Sequence, residues 1–265
     1  MPREITAFSN PLVKRIRTLR EKKHRRDEGL FLAEGLRVLT EAREAGHLPQ
    51  YLFFAADSAA HPLVRALIAD VEDRGGDAIE TNADILSKLS GKDNPQAVVG
   101  VYEEFTRTLD SLDRTRAGIW LVAERLRDPG NLGTILRTGD AVGAGGLILI
   151  GDCVDPFSVE AVRASMGALF TVPVVQSGWG DFLQWLRGGP GQLVGLSLDT
   201  THDYRAARYA APTFLLTGNE ARGMPEDYAA ACDLLVKIPM LGKADSLNAA
   251  VATAVMAYEV LAQQR

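Results

Sequence analysis

The feature that most constrains this 265-residue chain is an alternation, run twice, of short apolar segments with longer segments of helical periodicity. "LFLAEG" and "YLFFA" read as buried strands, while "LRVLTEAREAG" and "HPLVRALIADVEDRGG" read as helices ended by glycine. "NADILSKLSG" adds a capped helix and "PQAVVGVYEEF" a closing strand, so residues 1–105 predict a small layered α/β domain. Residues 106–117, "TRTLDSLDRTRA", are polar, lack a buried-strand pattern and read as a linker. The alternation restarts at "GIWLVAE" and runs through "GLILIG", "TVPVVQ", "LVGLSL", "TFLLTG" and "LLVKIP" over residues 118–265. Strands this apolar, each set between helices, predict a mostly parallel sheet covered on both faces. In such sheets ligands meet the loops beyond the carboxyl ends of strands, so those loops carry the functional reading.

Composition excludes several classes. The chain is 46% hydrophobic and 24% charged, as in globular domains. No apolar run approaches the roughly 20 residues that span a bilayer. The N-terminal "MPREITAFSN" lacks the apolar core of a signal peptide, which points to the cytoplasm. Cys153 and Cys232 stand apart from other cysteines and from histidines, so neither a metal site nor a disulfide framework is expected. The net charge of −5 argues against indiscriminate coating of nucleic acid. Locally the balance reverses. "NPLVKRIRTLREKKHRR", residues 10–26, reads as a basic helix capped by Ser9 or Asn10, with Pro11 at its first position and Leu12, Ile16 and Leu19 turned inward. Its charge block fits a phosphate-binding face, and equally a solvated helix surface.

"AVGAGG" resembles a dinucleotide fingerprint only superficially. That fingerprint needs a strand before its glycines and a helix after them, and Gly143, Gly145 and Gly146 follow a helix and precede a strand. Three strand-end segments remain. In "AERLRDPGNLGTILRTGDA", Pro129 and Gly130 make the turn, Asn131 suits a helix cap, and Arg137 is either a surface arginine or a working one. In "FLLTGNEARGMPED", Gly218 and Gly223 permit close backbone approach while Asn219 and Glu220 offer hydrogen bonds; a plain turn is the simpler reading. In "KIPMLGKADSLNAAVATAVMAYEV", Ser246 reads locally as a helix cap, with Asp245 competing for that place.

Taken together, "NLGTILRTGDAVG" (131–143), "TGNEARGM" (217–224) and "IPMLGKADSLNAAVA" (238–252) resemble, in order and spacing, the three motifs of the SpoU/TrmH family of S-adenosylmethionine-dependent RNA ribose 2′-O-methyltransferases, within the SPOUT superfamily. "NPLVKRIRTLREKKHRRDEGLFLAEGLRVLTEA" and "NPQAVVGVY" resemble the substrate-binding domain of members acting on ribosomal RNA. "VRASMGALF" resembles a segment of the catalytic half. The resemblance implies a C-terminal α/β trefoil-knot domain with a mostly parallel sheet and a smaller N-terminal L30e-like α/β domain that holds RNA. Pattern reasoning alone would not propose a knot, since knots are nearly absent among folds. It also implies a homodimer with a shared active site, and no metal.

For the donor, S-adenosylmethionine, the resemblance implies contacts around Gly218, Ile238 and Leu247, with Asn219 and Met240 nearby. It assigns activation of the ribose hydroxyl to Arg137, placement of the phosphate or the arginine to Ser246 and Asn131, and a supporting polar shell to Glu220 and Asn248. An arginine is a poor general base, so its role reads as stabilising the developing oxyanion. The RNA backbone would meet Lys14, Arg15, Lys22, Lys23, Arg25 and Arg26. Two alternatives accompany this reading: transfer RNA as substrate, and a non-catalytic RNA-binding or assembly protein that keeps the fold.

Overall fold

The computed structural model describes residues 3–219 and 222–265. The first elements are β1 (Arg3–Glu4), α1 (Pro11–Thr18), α2 (Lys22–Glu28), β2 (Leu30–Glu34), α3 (Leu36–Glu44), β3 (Tyr51–Ala55), α4 (Pro62–Asp73), β4 (Asp77–Thr81), α5 (Ala83–Ser90) and β5 (Val98–Glu103). Then come β6 (Ile119–Glu124), α6 (Pro129–Val142), β7 (Leu147–Ile150), α7 (Val159–Ser165), β8 (Val174–Ser177) and α8 (Trp179–Arg187). The last are β9 (Gln192–Leu196), β10 (Thr213–Thr217), α9 (Glu226–Ala231), β11 (Leu234–Val236) and α10 (Ala249–Gln264). They form two compact units, Met1–Phe105 with Asp155–Thr171, and Thr106–Val154 with Val172–Arg265.

The N-terminal unit is a five-stranded mixed sheet in the order β1-β4-β3-β5-β2, with β5 antiparallel to both β2 and β3. Its core sets Leu32, Phe53, Ile79 and Val101 against Ile16 and Leu19. The basic stretch is two helices rather than one. Asn10 caps α1, its Oδ1 accepting from the Leu12 amide at 2.9 Å, but α1 stops at Thr18. Arg25 explains the break. It is 2% exposed, and its Nη1 donates to the Leu19 and Arg20 carbonyls at 2.9 Å each, satisfying acceptors where the chain turns between the helices. The same guanidinium pairs with Asp155 at 2.6 Å. Arg25 is therefore committed inside this unit, a correction to its expected place on an RNA-facing surface.

The segment Asp155–Thr171 joins this unit through side chains. Val159 enters the core, Arg163 pairs with buried Glu34, and the Phe157 ring lies 4.9 Å from Phe31. α7 covers only the first part of "VEAVRASMGALF". Met166 and Gly167 take left-handed φ values of 53° and 102°, and a short 3-10 turn, Ala168–Phe170, follows.

The other unit is a six-stranded sheet in the order β11-β9-β10-β6-β7-β8, parallel throughout. From β6 the chain builds outward through β7 and β8, then crosses to the other side for β9, β10 and β11. The β6–β10 boundary is thus the place where strand order reverses, where open parallel sheets bind ligands. On one face Trp120 stacks on Phe214 at 5.7 Å between centroids, with Phe182 and Leu193 packed in. The "AVGAGG" glycines serve this packing. Gly143 ends α6 at φ 66°, and a Cβ on Gly145 would meet the Trp120 ring at 2.4 Å. Among the described residues, no helix is long and apolar enough to cross a membrane.

Candidate active site

Thr217 pairs with Ala123 across β10 and β6, so the loops leaving these strands start side by side. A Cβ on Gly218 would lie 2.5 Å from the Met224 amide nitrogen and 2.6 Å from the Gly223 carbonyl carbon. Only glycine lets the returning chain come so close. Asn219 and Gly223 then exchange backbone hydrogen bonds of 3.1 and 2.9 Å, which closes the loop on itself. The Asn219 side chain ties it to its neighbour: Nδ2 donates to the Arg125 carbonyl at 2.8 Å, and Oδ1 accepts from the Arg222 amide at 3.1 Å. Glu220, expected in the polar shell, lies outside the described residues.

Two helix caps differ from the sequence reading, and the difference matters for the site. Asn131 was the expected cap of α6, but Asp128 takes that place, its Oδ1 accepting from the Asn131 amide at 2.7 Å. Pro129 sets the start, because proline suits the first helical position and needs no amide partner. Asn131 is left inside the first turn, where its Oδ1 accepts from Asn248 Nδ2 at 2.8 Å. At α10 neither Ser246 nor Asp245 is the cap. Asn248 is, its Oδ1 accepting from the amides of Ala250 and Val251 at 2.9 and 3.3 Å. One amide side chain thus caps α10 and reaches the first turn of α6. Behind it, Thr217 and Thr253 share a buried hydroxyl–hydroxyl bond of 2.8 Å that fixes β10 to α10.

The remaining expected residues fall around this frame. Arg137 is exposed on α6, while Ser246 and Leu247 are exposed just before Asn248. Ile238 and Met240 are half-buried in the stretch after β11. Close main chain at Gly218 and the apolar side-chain chemistry of Ile238, Met240 and Leu247 are of the kind an adenosine group needs, so the residue types present fit the implied donor. In the N-terminal unit Lys14, Arg15, Lys22, Lys23 and Arg26 are exposed, with Arg15 paired to Glu28 at 2.5 Å.

Other chemistry finds little footing. Burial pushes the Cys153 thiol up to about 11 and the Cys232 thiol up to about 12, which keeps both protonated and unreactive near neutral pH. No group of His, Cys, Asp and Glu that could hold a metal ion occurs among the described residues. A cleft of about 650 Å³ in the N-terminal unit, around His47, Arg74 and Phe105, contains none of the residues singled out from sequence. A second cleft, of about 680 Å³, opens at the ends of β6 and β10 and is lined by Glu124, Arg125, Arg127, Asn219 and Arg222 among others. Of the lining residues the sequence singled out only Asn219 and Gly223. A run of arginines around a turn, "RLR", is common on surfaces, and only the register of β6 on β10 brings it beside Arg222.

Comparison with known proteins agrees with this geometry. Residues 118–258 match the SpoU rRNA Methylase family, and residues 10–100 match the MRM3-like substrate binding domain. The 23S rRNA (uridine(2479)-2′-O)-methyltransferase of Streptomyces viridochromogenes is 33% identical over 89% of this chain and 84% of its own length. The 23S rRNA (guanosine(2553)-2′-O)-methyltransferase of Bacillus subtilis is 27% identical over 97% of this chain and 99% of its own. Among solved structures, an AdoMet-bound rRNA methyltransferase from Sinorhizobium meliloti superposes with a TM-score of 0.90 at 40% identity, covering 97% of each chain.

Proposed function

Since the chain belongs to the SpoU rRNA methylase family, whose fold is the knotted α/β architecture with a separate N-terminal domain, we propose that it methylates a ribose 2′-hydroxyl of ribosomal RNA with S-adenosylmethionine as donor. The observation that carries this reading is the Asn131–Asn248 bond, which joins the first and third motifs at the reversal point of the parallel sheet. Ribosomal rather than transfer RNA is favoured by the substrate-binding domain and by the two relatives named for 23S rRNA. One of those relatives is named for a uridine and the other for a guanosine, so family membership leaves the target base open.

The donor, when bound, supplies a methyl group already activated by its sulfonium. The chain's own residues then have to hold and align. Gly218 and the apolar side chains of Ile238, Met240 and Leu247 are proposed to hold the adenosine, with Asn219 shaping the loop. Arg137 is proposed to face the ribose oxygen and stabilise the negative charge that develops there. Ser246 is proposed to hold an adjacent phosphate, and Asn131 and Asn248 to keep the two helix starts in register. Lys14, Lys22, Lys23 and Arg26, with Arg15, are proposed to meet the RNA backbone.

The proposal extends to a homodimer. Val251 and Tyr258 are 47% and 53% exposed, and their seven-residue spacing places them on one face of α10. Such a face is the kind a second copy covers. Light scattering should report a dimer, and Tyr258→Asp together with Val251→Asp should return a monomer.

The decisive assay supplies radiolabelled S-adenosylmethionine and unmodified ribosomal RNA, then maps the 2′-O-methyl position. Wild-type protein is expected to modify a single ribose. Arg137→Ala is expected to lower the rate by at least about 10²-fold while calorimetric donor affinity stays within about threefold. Donor affinity falling together with the rate would make Arg137 a structural residue instead.

A further inference from the structure

The cleft at the ends of β6 and β10 gathers positive charge that the groups assigned above do not use. Arg125, Arg127 and Arg222 line its wall of about 680 Å³. Arg125 sits at φ 42°, in the left-handed region where an L side chain crowds its own backbone. Glycine would occupy that position with less strain, so a long cation there needs a reason, and strained residues gather at functional sites.

The surroundings show how the arginines are held. Arg125 Nε lies 3.5 Å from Oε1 of Glu124, which is 2% exposed, while the arginine side chain itself is 53% exposed. Glu124 thus anchors the base of Arg125 and leaves its far end toward solvent. Asn219 bridges the main chain of Arg125 and Arg222, donating to the first and accepting from the second, so two loops distant in sequence are pinned together. Arg127 pairs with Asp152 at 2.9 Å, with both side chains more than half exposed. Against three guanidiniums stand the carboxylates of Glu124 and Asp152, with Asp227 acting on Glu124 from α9. Among the described residues that line the cleft itself, three guanidiniums face the single carboxylate of Glu124.

We infer that this cleft is a phosphodiester-binding subsite for the RNA strand, next to the first turn of α6. Planar, forked guanidiniums bind phosphate oxygens in pairs, and three of them suit successive backbone phosphates better than one carboxylate. This inference rests on the proposed RNA methyltransferase activity and adds to it a contact surface in the catalytic unit itself.

The test uses the full chain, a short fluorescein-labelled single-stranded RNA and a series of KCl concentrations. The variant Arg125→Gly/Arg127→Gln/Arg222→Gln is expected to weaken RNA binding at low salt by about 30-fold or more. Its log Kd against log salt slope should flatten by about two, since each single-strand phosphate contact contributes about 0.7. Arg125→Gly alone should bind RNA more weakly with an unchanged or higher melting midpoint, because glycine relieves the backbone. Donor affinity by calorimetry should stay within about twofold in every variant. An unchanged salt slope in the triple variant would overturn the subsite. Donor affinity falling in step with RNA affinity would also overturn it, and would give the arginines to the donor's carboxylate. Wild-type protein that neither binds nor methylates RNA would instead defeat the methyltransferase reading. An active wild type with an unaltered triple variant defeats the subsite alone.

Discussion

The loop after β10 and the stretch after β11 both leave the carboxyl edge of one parallel sheet, yet they are built in opposite ways. The first is braced at both ends: Gly218 is pressed against the returning backbone, Asn219 and Gly223 pair, and the Asn219 side chain reaches Arg125. The second has little bracing of its own. Every residue from Leu241 to Asn248 is exposed, with Leu241 at 98%, and a Cβ on Gly242 would meet nothing within 4 Å. Leu241 at one end of the stretch and Leu247 at the other both expose apolar surface. The contrast teaches a division of labour: one loop is set by the chain itself, and the other is proposed to be completed by donor and by a second copy.

The sharpest way to break this contrast is to add one methyl group to each loop. Gly218→Ala places a Cβ against rigid backbone and is expected to cost about 2–4 kcal/mol in denaturant unfolding, with donor binding lost alongside. Gly242→Ala should change stability by less than about 0.5 kcal/mol. Equal effects of the two substitutions would erase the distinction.

Asn248 lies where the open stretch ends, and its two functions can be separated. Asn248→Ala removes the cap of α10 and should cost about 1 kcal/mol, together with most of the activity. Asn248→Asp keeps an oxygen for the Ala250 and Val251 amides but has no donor for Asn131. Stability should survive within about 0.5 kcal/mol while methyl transfer falls. If both variants keep full activity, the Asn131–Asn248 bond is only structural.

The smallest effect concerns Glu124, which lies beneath the braced loop. Burial raises its carboxyl above the usual carboxylate value, although Arg125 and the Asn219 amide pull the other way. The folded state therefore binds this proton more tightly than the unfolded chain does. Its contribution to stability is fully present below the unfolded value of about 4.3 and is lost as pH rises through the raised folded value. Subtracting the Glu124→Gln profile from wild type should leave a curve that declines across that window. A difference curve that rises there would show that the ion pair outweighs burial.

The regular part of the fold was legible because buried parallel strands must be almost wholly apolar and helices must end in recognisable ways. Gly143 as the stop of α6 and Asn10 as the cap of α1 are cases where local chemistry suffices. The two-residue strand β1 and the polar β4, "DAIET", carry no such pattern, since β1 lies at the sheet edge and β4 buries a polar residue, Thr81, whose hydroxyl donates to the Ile5 carbonyl. The break between α1 and α2 was illegible for another reason. It depends on Arg25 turning inward to Asp155, 130 positions along the chain. In the site, both asparagines were picked out, but the cap of each helix was misassigned. Several polar residues near each helix start could have capped it, and Pro129 and the partner across the sheet decided which one does.

By itself, then, the sequence determined the alternation of elements, the parallel character of the second sheet and the residue types available at three strand-end loops. These follow from burial, periodicity and capping, which act within a few residues. Only the tertiary structure decided that Asn248 reaches Asn131, that Arg25 is withdrawn from the basic surface, and that Arg125 and Arg222 share one cleft. The hydrogen bonds behind these pairings, Asn219 to Arg125 among them, join positions 94 to 130 residues apart, through the register of neighbouring strands and the burial of single charges. Local preference carries no information over such separations; the packing that brings the pieces together supplies it.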